Sequence, residues 1–561
     1  MGDNVGRFCD IQSRNELADY IKIPRKQLSF LLYIRTPDEC YQTFEIPKKS
    51  GGTRTINAPN ATLRYVQKML ADALYSYQAE YRTSEGIQQK VSHAFEKGKN
   101  IITNASVHRN KRYVLNIDLE DYFGAFHIGR VIGFFEKNKH FGFPHEVAVT
   151  IAKIACYQGK LPQGSPCSPV ITNLICENLD IKLIRLAKKY RLDYTRYADD
   201  ITFSTNHTKF IMSQEVFMDE LIATIKSAGF NINSRKTRLQ YKESQQKVTG
   251  LVVNRKVSIE RYYVKQTKAM AHRLYKEGSF TINGEEATLD QLEGRFAFIN
   301  QLDKYNNRID GEKHSVFYLN GRERQYQGFL FYRYFFRAQK PLIITEGKTD
   351  VLYLKAALKN LSEEYPKLIE QDEHGRYSYK VNFFKRSSKW EYFFGIALDG
   401  ADTLTNFYKY YLPGGGVPNY FDYFCKLTGD TPTNPVVLLL DNETQTKKKP
   451  LKKFLEAGGI KETMKKTLQE ELKIELLENS KLFLVTCPLV AGKKESEIED
   501  MLPEDVLTMK IDGKEFDRSG KGNRTEFYNK DILSRTVFQQ YESIDFSGFR
   551  EVLNAINDIV S

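Results

Sequence analysis

Thr195-Arg-Tyr-Ala-Asp-Asp-Ile-Thr-Phe203 reads as a strand, an acidic turn and a second strand. β-Branched and aromatic residues flank a pair of carboxylates at its tip. Earlier in the chain, Tyr113-Val-Leu-Asn-Ile-Asp-Leu119 is a buried-strand candidate that ends in an acidic residue. Nucleotidyl transfer by a two-metal route needs carboxylates holding two magnesium ions roughly 3.5–4 Å apart. Mg2+ takes hard oxygen ligands and keeps several waters, so two or three carboxylates on a stiff scaffold suffice. A strand-end Asp118 facing a hairpin whose turn carries Asp199 and Asp200 supplies such a set. These three are the candidate catalytic and metal-binding residues.

Working outward, residues 170–188 carry Val170, Ile171, Leu174, Ile175, Leu179, Leu183 and Leu186, a helical stripe. Upstream, Phe44-Glu-Ile-Pro-Lys-Lys-Ser-Gly-Gly-Thr-Arg-Thr-Ile56 is two short strands joined by a Gly51-Gly52 turn. Residues 13–33 read as helical, opened by a Ser13/Glu16 capping box. Past residue 300 the style changes. Asn306-Asn-Arg-Ile-Asp-Gly-Glu-Lys313 is polar and turn-rich, a linker or loop. Beyond Pro341 the order is strand (Leu342–Thr345), helix (Val351–Leu361) and, later, strand (Val436–Leu440). That alternation predicts an α/β domain with a largely parallel sheet.

With 561 residues the chain is too long for one core. A formal charge of +13 favours a polyanionic partner, most economically nucleic acid. The seven cysteines form no CxxC pair, which argues against a zinc ribbon or disulfide framework and suits a reducing cytosol. Apolar runs such as Val436–Leu440 are far too short to cross a bilayer, so the expectation is a cytoplasmic protein without a membrane partner.

Four motifs in order resemble those of reverse transcriptases. Asp118 opens Asp-Leu-Glu-Asp-Tyr-Phe. Leu161-Pro-Gln-Gly-Ser-Pro-Cys-Ser-Pro169 is similar to the motif lining template and incoming nucleotide, Tyr197-Ala-Asp-Asp200 to the YxDD turn, and Gly229-Phe-Asn-Ile-Asn-Ser-Arg-Lys236 to the lysine-bearing motif that follows. The resemblance implies a compact α+β right-hand polymerase of fingers, palm and thumb, dependent on Mg2+. It makes Phe123 the steric gate that selects dNTPs. It places Arg54 on the triphosphate, with Lys48 or Lys49 nearby, and Gln163 and Gly164 beside the nucleotide. Lys236 becomes a proton donor to pyrophosphate. Asn104-Ala-Ser-Val-His108 and Val248-Thr-Gly250 match the NAxxH and VTG elements of bacterial retron enzymes. These imply RNA-binding roles for Asn104, His108, Val248, Thr249 and Gly250. Further implied are a structured non-coding RNA as template and 2′-OH primer, and a branched RNA–DNA product (msDNA) that can join a homo-oligomer. Thumb residues Arg255, Lys256, Arg261, Lys265 and Lys268 are phosphate-contact candidates.

In the last third, Leu342-Ile-Ile-Thr-Glu-Gly-Lys-Thr-Asp350 and Val436-Val-Leu-Leu-Leu-Asp-Asn-Glu443 put carboxylates at strand C-terminal ends, where open α/β sheets build their sites. Such a cluster most simply binds Mg2+ or Mn2+. The pattern looks like a Toprim domain, found in topoisomerases, primases and overcoming-lysogenization-defect nucleases. On that likeness Glu346 is a general acid/base or metal ligand, and Asp350, Asp441 and Glu443 hold metal. Gly400 is the middle glycine, and Glu497-Ile-Glu-Asp500 supplies a further acid. DxE replaces the usual DxD, and the Glu346–Asp441 interval is long, implying an insertion. The expected division is 1–255 fingers and palm, 256–340 thumb and connection, and 341–561 a Toprim-like nuclease domain with residues 504–561 as an appendage. The function implied is a retron reverse transcriptase fused to a nuclease effector in anti-phage defence. A mobile-element enzyme whose second domain assists priming or strand passage, or is a dead scaffold, stands as the alternative.

Overall fold

A computed structural model describes residues 7–47, 51–311, 315–397, 403–446, 449–490, 492–518 and 522–560. The chain divides into two compact units, Met1–Glu260 and Arg261–Ser561. Lys48, Lys49 and Gly400 lie outside the described residues.

In the first unit, Ser13 caps the helix Arg14–Tyr20, and a second helix, Arg25–Tyr33, follows Pro24. The hairpin is β1 (Tyr41–Pro47) and β2 (Thr53–Pro59), with Ile46 opposite Arg54. Four antiparallel strands form the central sheet: β3 (Tyr113–Asp118), β4 (Asp193–Tyr197), β5 (Asp200–Thr205) and β6 (Arg238–Tyr241), in the order β4-β5-β3-β6. Period-two alternation gives the sheet two faces. Leu115, Ile117, Ile201 and Phe203 share a core with Leu174, Leu183, Phe217 and Leu221 of the helices Ser168–Lys189 and Phe210–Ser227. On β4 and β5, Thr195 and Ser204 are buried and receive His108, which follows the helix Ile101–Val107. A small hairpin, β7 (Lys247–Val248) and β8 (Leu251–Val252), turns through Thr249 and Gly250.

The second unit opens with the helices Arg261–Glu277, Leu289–Asp310 and Gly321–Phe331. The hairpin β9 (Thr281–Ile282) and β10 (Glu285–Glu286) lies between the first two. The stretch Asn306–Asp310, expected as linker, is instead the last turn of a helix that Gly311 ends at φ +69°. Asn306 is buried there, so its polarity marks an inward-facing contact. Next come β11 (Leu342–Thr345), the hairpin β12 (Ile369–Gln371) and β13 (Tyr377–Tyr379), β14 (Asn382–Phe383), β15 (Val436–Leu440), β16 (Lys473–Glu475) and β17 (Leu482–Thr486). The five-stranded sheet runs β14-β11-β15-β17-β16, parallel except for β16. Every residue of β15 is buried, as a parallel strand covered on both faces requires. Leu342, Ile344, Leu438 and Leu484 face one core with Ala271, Leu274, Leu292, Phe296, Phe329 and Phe335. Ile343, Val437, Leu439 and Val485 face another, built with the helices Asp350–Asn360, Lys530–Gln539 and Arg550–Val560. The segment read as an appendage therefore covers one face of the sheet. No helix among the described residues is long and apolar enough to cross a membrane.

Candidate active sites

Strand register builds the first site. Asp118 stands opposite Asp200 across β3 and β5, and Leu119 N–H donates to the Asp199 carbonyl at 3.1 Å. The turn between β4 and β5 takes Ala198 through φ +56°, which costs an L-residue roughly 1–2 kcal/mol. Asn233 N–H donates to the Asp118 carbonyl at 2.8 Å, pinning the loop that carries Lys236. Lys236 Nζ then reaches both Asp118 oxygens, at 2.9 and 3.0 Å. A cleft of about 1500 Å³ is lined by Arg54, Asp118, Phe123, Gln163, Asp199 and Lys236 together. Asp200 and Gly164 stand outside that lining.

Burial raises the Asp199 carboxyl above its usual range and the Asp118 charge adds to this, while Lys236 and Arg54 oppose it. The surrounding protein, then the charges of Asp199 and Asp118, push Asp200 up to about 7; its open outer edge lets solvent temper that shift. Crowded carboxylates clasped by an ammonium group fit a hard divalent cation. The cleft lining includes no thiol or imidazole to favour a softer metal.

Phe123 is half-buried, its ring edge-on to Tyr122 with centroids 5.3 Å apart. Gly164 was expected beside the nucleotide; its close neighbour is protein. At φ +120° an added Cβ would lie 2.6 Å from the Asn57 carbonyl oxygen, and Asn57 N–H donates to the Gln163 carbonyl at 2.8 Å. The glycine thus seats β2 against the loop leading to the helix Ser168–Lys189.

The expected RNA contacts need correction. Asn104, His108 and Val248 are fully buried, where no RNA can touch them. His108 Nδ1 and Nε2 lie 2.7 Å from the hydroxyls of Ser204 and Thr195, so it ties β4 to β5. Thr249 Oγ1 donates to the Ile101 carbonyl at 3.5 Å, joining the two elements. Only Thr249 and Gly250 reach the surface, both at positive φ.

The second site sits at the carboxyl ends of adjacent parallel strands. Glu346 follows β11 and Asp441 follows β15, and Asp441 N–H donates to Glu346 Oε2 at 3.2 Å. Ligand oxygens of Glu346, Asp441 and Glu443 all lie within 4.8 Å of one another. Burial pushes Glu346 up to about 7, with Asp350 and Glu443 adding to it, and lifts Asp441 well above the carboxylate range. Asp350 is buried and accepts from Gly347 N–H at 2.6 Å, shaping the loop after β11. Cations hold the rim: Lys449 pairs with Glu443, and Lys530 Nζ lies 3.0 Å from both Glu497 and Glu499. Glu499 is fully buried, and of the Glu497–Asp500 stretch it is the acid set deepest. Asp500 instead pairs with Lys493 and Arg518. The pairing of Lys530 escaped sequence reasoning, because a lysine some thirty residues along the chain from its carboxylates carries no local signal. Hard oxygen donors this close fit Mg2+ or Mn2+.

This catalytic palm is that of a template-directed polymerase. Residues 46–253 match the reverse transcriptase (RNA-dependent DNA polymerase) family. The chain is 33% identical over 316 residues to the retron Ec86 reverse transcriptase of Escherichia coli, covering 56% of this chain and 91% of that one. It is 30% identical to the retron Mx162 and Mx65 reverse transcriptases of Myxococcus xanthus, covering 54% and 47% of this chain and 66% and 61% of theirs. The chain belongs to the retron reverse transcriptase family.

Proposed function

We propose that this enzyme copies a structured non-coding RNA encoded beside it, priming from the 2′-OH of a guanosine within that RNA. The product is a short DNA joined to the RNA by a 2′,5′ branch. The observation that carries the polymerase reading is the meeting of Asp118, Asp199, Arg54, Phe123 and Lys236 at one cleft, with Asp200 beside it. Asp118, Asp199 and Asp200 would hold Mg2+, which supplies activation of the primer hydroxyl and stabilisation of the leaving group. Arg54 offers the dNTP triphosphate a planar, permanently charged donor. Phe123 excludes a ribose 2′-OH. Lys236 orients Asp118 and carries a proton for the departing pyrophosphate. RNA recognition then rests on shape, backbone and 2′-OH contacts, with Thr249 and Gly250 as the accessible part of the VTG element. Asp199→Ala should reduce DNA synthesis by several orders of magnitude while the protein stays folded; retained synthesis sinks the assignment. Nucleic acid co-purifying with the protein should be partly RNase-sensitive and partly DNase-sensitive, with a branch-linked size. Free linear DNA would overturn the branched product.

For the second unit we propose a Toprim-type, metal-dependent nuclease restrained by the RNA–DNA product and released on phage infection, in the cytoplasm. The three carboxylates within 4.8 Å at neighbouring strand ends support it. Glu346 is the general acid/base candidate, and Asp441 and Glu443 are the metal ligands, with Asp350 shaping the loop. Glu346→Ala should abolish phage protection in cells carrying the whole locus. Plaque counts as low as wild type would remove the effector role.

A further inference from the structure

Arg196, two residues before the Ala198–Asp199 turn, is fully buried. Arginine is seldom buried without partners, and this one uses its whole guanidinium. Nε and Nη2 donate to the two oxygens of Asp180 at 2.8 Å each, the two-pronged geometry that fits a carboxylate. Tyr194 hydroxyl donates to the same carboxylate at 2.7 Å. The remaining nitrogen, Nη1, is shared among the Tyr122 hydroxyl at 3.3 Å, Asn173 Oδ1 at 3.3 Å and the Ala198 carbonyl at 3.4 Å. Main-chain bonds fix the residue as well: Arg196 N–H donates to Val91 and His93 N–H donates to Arg196, both at 2.8 Å.

We propose that Arg196, oriented by Asp180, is a positioning residue that sets the acidic turn and the Tyr122–Phe123 segment in one frame, and so governs the choice of deoxyribonucleotides over ribonucleotides. The selectivity part rests on Phe123 acting as the gate. A turn that carries alanine at φ +56° persists only where its surroundings over-determine it, and Nη1 bonds that alanine's carbonyl. The same nitrogen holds the Tyr122 hydroxyl, which also meets Cys176 Sγ at 3.5 Å and the Thr172 side chain. Phe123 packs edge-on against the Tyr122 ring, so displacement of Tyr122 displaces the gate. A buried pair kept for stability alone has no need of this three-way sharing, since apolar residues of equal volume often serve as well. Lysine cannot substitute, because one ammonium cannot grip both Asp180 oxygens and also serve groups on its far side.

The experiment uses the full chain in primer extension with dNTPs and rNTPs, and compares Arg196→Lys, Tyr122→Phe, Phe123→Ala and the Arg196→Lys/Phe123→Ala double variant. Thermal midpoints are measured in parallel. Tyr122→Phe should melt like wild type yet lose selectivity severalfold. Arg196→Lys should melt lower, raise the KM for dNTPs and reduce dNTP-over-rNTP selectivity by about tenfold, the worth of roughly one hydrogen bond. The double variant should be no less selective than Phe123→Ala, because one effect passes through the other. Wild-type KM and selectivity in both Arg196→Lys and Tyr122→Phe, whatever the melting point, overturn the proposal. If Arg196→Lys does not fold, Tyr122→Phe decides. If Phe123→Ala leaves selectivity intact, the gate reading falls, and the KM of Arg196→Lys then judges the turn.

Discussion

His108 is held neutral by burial, its pKa lowered to about 3, with Lys111 and His93 adding repulsion. Burial likewise lowers His93 to about 4. An unfolded histidine titrates near 6.5, so below that pH the unfolded chain binds protons the folded chain refuses. Stability is therefore full above about pH 6.5 and falls on acidification, by up to about 1.4 kcal/mol per pH unit for each histidine. His108→Gln should be less stable at pH 7.5 but show a shallower decline of thermal midpoint between pH 7 and 5; parallel curves would refute this. At Asp199 the burden is a buried charge, to which repulsion from Asp118 adds. Asp199→Asn should raise the melting point in chelator and shrink the further rise that Mg2+ produces in the wild type. Calorimetry with and without Mg2+ reads both. The three aspartates were legible from sequence because strand–turn–strand patterning fixes where such carboxylates meet. The burial of Asn104 and His108 was not, because a short polar motif does not reveal which side of its helix faces the sheet.

Elements carry the next set of consequences. The β1–β2 hairpin was readable from its glycine pair, but what seats it was not: Gly164 lies far away in sequence and meets β2 only in the folded chain. Gly164→Ala combines a Cβ 2.6 Å from a carbonyl oxygen with an unfavourable φ. It should cost about 2 kcal/mol or more and raise the KM for dNTPs through the displaced hairpin. An unchanged melting point would count against this. In the second unit, the unbroken apolar run of β15 announced a parallel strand, and the carboxylates after it were placed by the same reading. Their cationic rim was invisible, because Lys530 comes from a helix whose packing only the folded sheet defines. Lys530→Met should leave Glu499 buried without its cation. We expect a loss of about 3–5 kcal/mol from the second unit, read as a lower melting point, with DNA synthesis unaffected.

For the whole molecule, the two units have separate cores, and the helices of 261–340 belong to the second. A fragment beginning at Arg261 should be soluble and cooperatively folded. One beginning at Pro341 should aggregate, because it strips Leu274, Leu292, Phe296, Phe329 and Phe335 from the face of the parallel sheet. Circular dichroism and size-exclusion chromatography of the two fragments test this; equal behaviour would mean that the helices are dispensable to that core. The expected boundary at 340 followed the change from helical to alternating pattern, which reports where one kind of element stops and not which side chains bury one another. The shared core also bears on descent. Recombination that trades the tail of one such gene for another leaves a viable product when the crossover falls near codon 260. A crossover at codon 340 divides a single hydrophobic interior between two parents, so lineages should inherit these helices together with the sheet they cover.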